Sequence, residues 1–61
     1  MMEKEAIERF VGKRVKLVQG TFVLNGVIRA AYTASLLFET EQQEALISYD
    51  VITEVVTLKG C

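Results

Sequence analysis

Side chains that ordinarily make or break bonds are almost missing from this chain. It has no histidine and a single cysteine, Cys61, at its last position. Zinc sites of the Cys/His type and imidazole acid–base catalysis are therefore excluded. No carboxylate pair stands at a spacing that suggests shared proton transfer, and no glycine-rich phosphate loop follows a strand; Gly20 and Gly26 stand singly. Neither an enzyme nor a cofactor is expected. What remains is contact chemistry. Tyr32 and Tyr49 offer aromatic faces, Arg9, Lys13, Arg14 and Lys16 form a basic run, and Glu39, Glu41 and Glu44 an acidic one.

Seven basic and eight acidic side chains give a formal charge of −1 and a pI near 5.3. A generic nucleic-acid binder carries a clear basic excess. Here the two signs are segregated along the chain, so an assembly could display them on different faces. Hydrophobic residues make up 51% of only 61 residues, with a mean hydropathy of +0.29. A domain this small hides roughly 60% of the surface its unfolded chain exposes. The apolar surplus needs a cover, and a second copy of the chain is the simplest one. No run of about 18 apolar residues appears, and Met-Met-Glu-Lys-Glu is not a signal peptide. A cytoplasmic protein with no membrane partner is expected, its Cys61 an exposed thiol in a reducing compartment.

The positioning elements follow from periodicity. Ile7, Phe10 and Val11 stand at i, i+3 and i+4, which predicts a short helix over about 2–10. Glu3, Glu5 and Glu8 complement its dipole, and Gly12 is placed to end it. From Lys13 the period becomes 2: Val15 and Leu17 alternate with Arg14 and Lys16 as in a half-buried strand. Gln19-Gly20-Thr21 is a turn. A long second strand follows, with Phe22, Leu24, Ile28 and Ala30 on one face and Val23, Asn25, Val27 and Arg29 on the other. Gly26 inside it predicts a hard bend or a close backbone approach. The third strand spans 35–40, the fourth 45–48 and the fifth 52–58, with Tyr49-Asp50-Val51 a tight link that Asp50 is expected to cap. A tail occupies 59–61. The expected fold is mainly β: one domain over 1–61, with a short N-terminal helix and a five-stranded, strongly bent antiparallel SH3-like barrel over about 13–58. Its outer strands are open, and Ile47, Ile52, Val55 and Val56 are expected at a subunit interface, where unlike edges pair head to tail.

The helix, Gly12-Lys13-Arg14-Val15, Gly26-Val27-Ile28, Leu36-Leu37-Phe38-Glu39 and Leu46-Ile47-Ser48-Tyr49-Asp50-Val51-Ile52-Thr53 occur in an order and spacing that resembles the Sm-like family, nearest its Hfq branch. The resemblance runs from about residue 2 to 56. It implies a homo-oligomeric ring, six subunits as a first expectation, with pairing of fourth and fifth strands between subunits and single-stranded RNA held at the pore. The pore loops it implies are Tyr32-Thr33-Ala34 and Ser48-Tyr49-Asp50. Tyr32 stands where the family usually has an acidic residue, and Ala34 where Hfq has a stacking aromatic. Ser48-Tyr49-Asp50 replaces Tyr-Lys-His. Tyr32, Thr33 and Tyr49 become the expected RNA contacts, since stacking on an aromatic ring is worth roughly 1–3 kcal/mol per base. Arg9, Lys13 and Arg14 form an expected basic rim. Lys16 and Asn25 take the positions that face purines on the opposite side in Hfq. A ring serving as a scaffold or protein-interaction module, without RNA, is the competing reading, and a monomeric SH3-like domain attached to a larger assembly is the third.

Overall fold

The computed structural model describes residues 3–58. The expected helix start at Met2 and the tail 59–61, with Cys61, lie outside them. The architecture is one short helix and a five-stranded antiparallel open sheet. In chain order the elements are α1 (Lys4–Glu8), β1 (Arg14–Gln19), β2 (Phe22–Ala31), β3 (Ser35–Glu39), β4 (Glu44–Ser48), a single 3-10 turn (Tyr49–Val51) and β5 (Glu54–Thr57). The strands lie side by side as β4-β3-β2-β1-β5. The last strand thus pairs with the first, and β4 and β5 form the two edges.

The helix is shorter than its apolar stripe predicts. Glu3 stands at its N-cap without a side-chain bond to the helix, and the chain leaves it by tight turns in which Phe10 N–H bonds Ile7 C=O at 2.9 Å and Lys13 N–H bonds Phe10 C=O at 3.0 Å. Gly12, at φ +85°, turns the chain into β1 instead of capping the helix directly. Ile7 is fully buried, and this single side chain plugs α1 onto the sheet.

Alternation in β1 is as expected: Val15 and Leu17 are both fully buried. A two-residue hairpin loop, Gly20-Thr21, joins it to β2, with Gln19 facing Phe22. Gly20 carries φ +59° and Thr21 a negative φ, the sign pattern of a type II′ turn. The Gly20 N–H is held at 3.0 Å by Thr53 Oγ1, which ties this hairpin to the approach of β5.

In β2 the expected two-faced pattern holds only part-way. The strand pairs with β1 from Phe22 to Val27 and with β3 from Val27 to Ala31, so it passes from one partner to the other just after Gly26. A methyl group on Gly26 would collide with the Glu39 carbonyl oxygen and stand 3.0 Å from two ring carbons of Phe38. That is the close approach the lone glycine foretold. Beyond it a register shift between Ile28 and Ala30 leaves Arg29 as an extra residue. The bulge reverses the phase, so Ala31, not Ala30, packs on the core. At the other end Phe22 is 71% exposed, because the hairpin tip projects past the core.

The core consists of Ile7, Val15, Leu17, Ile28, Leu36, Phe38, Ile47, Tyr49 and Ile52. Three of these were expected elsewhere. Ile47 and Ile52, read as interface residues, are 7% and 1% exposed and fill the interior, since the inward phase of β4 and the chain leaving the 3-10 turn both aim at Phe38's side of the sheet. Tyr49 is the third. On the outward phase the strands carry Leu46, 67% exposed, and the half-buried Val56.

Candidate functional site

The loop between β2 and β3 and the 3-10 turn are brought together, as the two expected pore loops require. Their relation differs from the expectation. Tyr49 is only 4% exposed, so its ring is covered and has no face to offer a base. Its hydroxyl donates a 2.5 Å hydrogen bond to the Tyr32 carbonyl, and its main-chain N–H donates to the Ala34 carbonyl at 3.1 Å. A tyrosine suits this place because its ring satisfies the core while its hydroxyl reaches a polar group at the edge. The loop is closed on itself by Tyr32 N–H bonding Ser35 C=O at 2.7 Å. The result is a clamped turn that leaves the Tyr32 ring 48% exposed and Thr33 exposed at its apex. Burial raises the pKa of Tyr49 above its usual 10.0, and the Glu8 carboxylate pushes it the same way.

The turn after β4 is organised by Ser48, not by Asp50 as expected. Ser48 Oγ accepts the Asp50 N–H at 3.3 Å. Asp50 is exposed and is not engaged in an ion pair among the described residues. Ser48 sits at the N-cap, where a hydroxyl outcompetes a carboxylate that is already inside the turn.

Arg9, Lys13 and Arg14 are all exposed on the segment from the helix end to the start of β1, and none is tied to Glu5 or Glu8. The one ion pair among the described residues joins Arg29 Nε to Glu39 Oε1 at 3.4 Å, both well exposed. Such a pair is worth at most about 1 kcal/mol. Arg29, placed by the sequence on the same face as Val27, lies diagonally across from Glu39, the partner of Val27 on β3. Lys16 and Asn25 face each other across β1 and β2, so the two opposite-face candidates share one patch. Val55 packs on the core from β5 while Val56 turns outward beside Lys16. Among the described residues no three Asp, Glu, Cys or His side chains converge on a point that could hold a metal ion. No helix among them is long and apolar enough to cross a membrane. No family model matches the sequence, and no curated protein or solved structure matches it.

Proposed function

We propose that this chain is the subunit of an Sm-like ring, six copies in the first instance, that binds single-stranded RNA by stacking and phosphate contacts without catalysis. The reading rests chiefly on the two unlike edges of the sheet. β4 and β5 end it on opposite sides, neither is protected by proline, and no lysine lies within either strand. Their alternation is complementary. Laid antiparallel, with inward Ile47 opposite inward Val55, the strands also bring outward Leu46 opposite outward Val56, and they keep Glu44 and Glu54 at opposite ends of the ladder. A parallel alignment starts both strands side by side and sets these glutamates against each other, which costs stability. Head-to-tail pairing of this kind repeats around an axis.

RNA contact then falls to Tyr32 and Thr33, presented by the clamped loop, with Arg9, Lys13 and Arg14 supplying phosphate contacts at the rim. Tyr49 takes the role of anchor beneath Tyr32. A ring that acts as a protein scaffold is the second reading. It is favoured by the burial of Tyr49, which removes one of the two stacking rings.

Native mass spectrometry with and without a pool of U-rich and A-rich oligonucleotides tests both parts. The expected species is about six times the 6.8 kDa chain mass, with oligonucleotide bound and affinity falling as salt rises. Tyr32→Ala is expected to weaken that binding by about 1–3 kcal/mol per stacked base. A mass of one chain at micromolar concentration ends the ring; a ring that retains no oligonucleotide at low salt leaves the scaffold reading.

A further inference from the structure

One strand edge stays open within the sheet, besides the two outer ones. Val18 C=O accepts from Thr53 N–H at 2.7 Å and Arg14 C=O from Leu58 N–H at 2.9 Å, so Arg14, Lys16 and Val18 turn their main-chain groups toward β5. Val15, Leu17 and Gln19 turn theirs toward β2, where they meet Gly26, Leu24 and Phe22. Val23 and Asn25 then point theirs away from β1, to the side where β3 pairs no further than Val27. Among the described residues no hydrogen bond outside the ladders uses the main chain of either. Beside them runs an open groove of about 510 Å³, closed on its far side by Thr40, Glu41 and Gln42 of the β3–β4 turn.

We infer that this edge pairs with the same edge of a second copy of the chain, antiparallel, about a two-fold axis at Val23. Charge selects the occupant. Arg14 and Glu41 both line the groove, both are exposed, and neither has an ion-pair partner among the described residues; Glu39 is already paired with Arg29. An acidic or a basic strand gains at one of the two and loses at the other. An uncharged strand is indifferent to both, and the longest uncharged run of the chain, Leu17 to Ile28, is the one that carries this edge. Register agrees with charge. Residues directly opposite in an antiparallel ladder share a face. With Val23, 54% exposed, opposite Val23 of the second copy, two uncovered valines meet and exchange main-chain bonds. On the core-side face Phe22, 71% exposed, then covers the half-buried Leu24 of the second copy, and the symmetry repeats that contact. Thr21 falls opposite Asn25, polar against polar. Such self-complementarity is what a two-fold interface requires, and an unpaired edge without charge or proline is open to it. β4 and β5 take no part, so the contact joins single chains and rings alike. The segment from Thr21 to Asn25 is short, which makes this a weak interface, formed at chain concentrations on the order of 1 mM.

The test is amide-resolved NMR of the 15N-labelled chain, diluted from about 1 mM to about 20 µM to cross that range. The Val23 resonance is expected to move with concentration and its amide exchange to slow at the upper end. A sample mixed from labelled and unlabelled chains should show contacts between copies from the Phe22 ring to the Leu24 methyls. Val23→Lys, at an exposed position, sets like charges against each other on the axis and should weaken the association at least tenfold. A Val23 amide indifferent to dilution overturns the inference, as does the absence of Phe22–Leu24 contacts between copies or a Val23→Lys chain with an unchanged dilution curve. An oligonucleotide or a charged peptide that moves the Val23 and Asn25 amides at a fixed 20 µM chain also overturns it, by giving the edge another occupant. Leu46→Lys separates this outcome from that of the ring. It blocks pairing through β4 and should leave the Val23 dilution curve in place; loss of that curve would assign the effect to the ring and overturn the inference.

Discussion

Gly26→Ala is expected to destabilise the protein by about 2 kcal/mol, although alanine is the better residue for an ordinary strand. Two effects oppose each other. Removing a glycine stiffens the unfolded chain and by itself favours folding by about 0.4–1 kcal/mol. Against it, the new methyl would overlap the Glu39 carbonyl oxygen and press on two ring carbons of Phe38 at 3.0 Å. One obstacle is backbone in the β2–β3 ladder and the other a ring 1% exposed in the core. Neither can step aside as a flexible surface side chain would, and overpacking of this kind costs about 1–3 kcal/mol or more. The overlap with main chain places the cost at the upper end, so steric strain wins. At roughly 0.05–0.15 kcal/mol per residue, a domain of this size has only about 3–9 kcal/mol in total. The loss is therefore large in proportion. Urea unfolding followed by far-UV circular dichroism, at one fixed chain concentration because association shifts the midpoint, measures it. With a slope near 1 kcal/mol per molar urea for a small protein, the midpoint should fall by about 2 M. An unchanged or higher midpoint would refute the close approach of β2 and β3 and leave the entropy term in command.

Tyr49→Phe keeps the buried ring but loses the bond to the Tyr32 carbonyl, and is expected to cost about 1 kcal/mol at neutral pH. Because Tyr49 ionises at higher pH folded than unfolded, its contribution is complete below the unfolded value of 10.0 and drains away as pH rises through the raised folded value. Urea midpoints of both proteins from pH 8 to 11.5 should therefore converge at the alkaline end; parallel curves would contradict the burial. Ser48→Ala should lower stability by about 0.5–1 kcal/mol through loss of the turn cap, with Asp50→Ala nearly silent, in thermal melts of the two variants. Leu46→Lys should leave the far-UV spectrum intact yet reduce the native mass to that of one chain if β4 pairs with β5 of a neighbour; an intact oligomer argues against that pairing.

How much could be read from residue order depended on whether a feature was local. Alternation at Val15 and Leu17, the Gly20 turn and the close approach at Gly26 each needed only neighbours along the chain or the known uses of glycine. The bulge at Arg29 was hidden because it arises where β2 meets β3, and nothing in Ile28-Arg29-Ala30 announces an extra residue. Ile47 and Ile52 were assigned to an interface when they belong to the interior, since an apolar side chain reads the same in either place until the phase of its strand is known. Tyr49 was the costliest ambiguity. A tyrosine in a polar turn looks like a ring held out to a ligand, and only its hydroxyl's reach to Tyr32 across 17 residues shows it facing inward. Ser48 and Thr53 were passed over because a single hydroxyl has no periodicity to betray it.

The pairing of β5 with β1 has a consequence for how the molecule is made. Hairpins β1–β2, β2–β3 and β3–β4 can each zip as soon as their residues leave the ribosome, since every partner is the adjoining stretch. The final seam is different: Val15 to Val18 must wait for Glu54 to Thr57, about 40 residues further along the chain. Until then the first strand keeps one flank bare, and a nascent chain that has not yet reached Glu54 carries that flank in search of any strand that will take it.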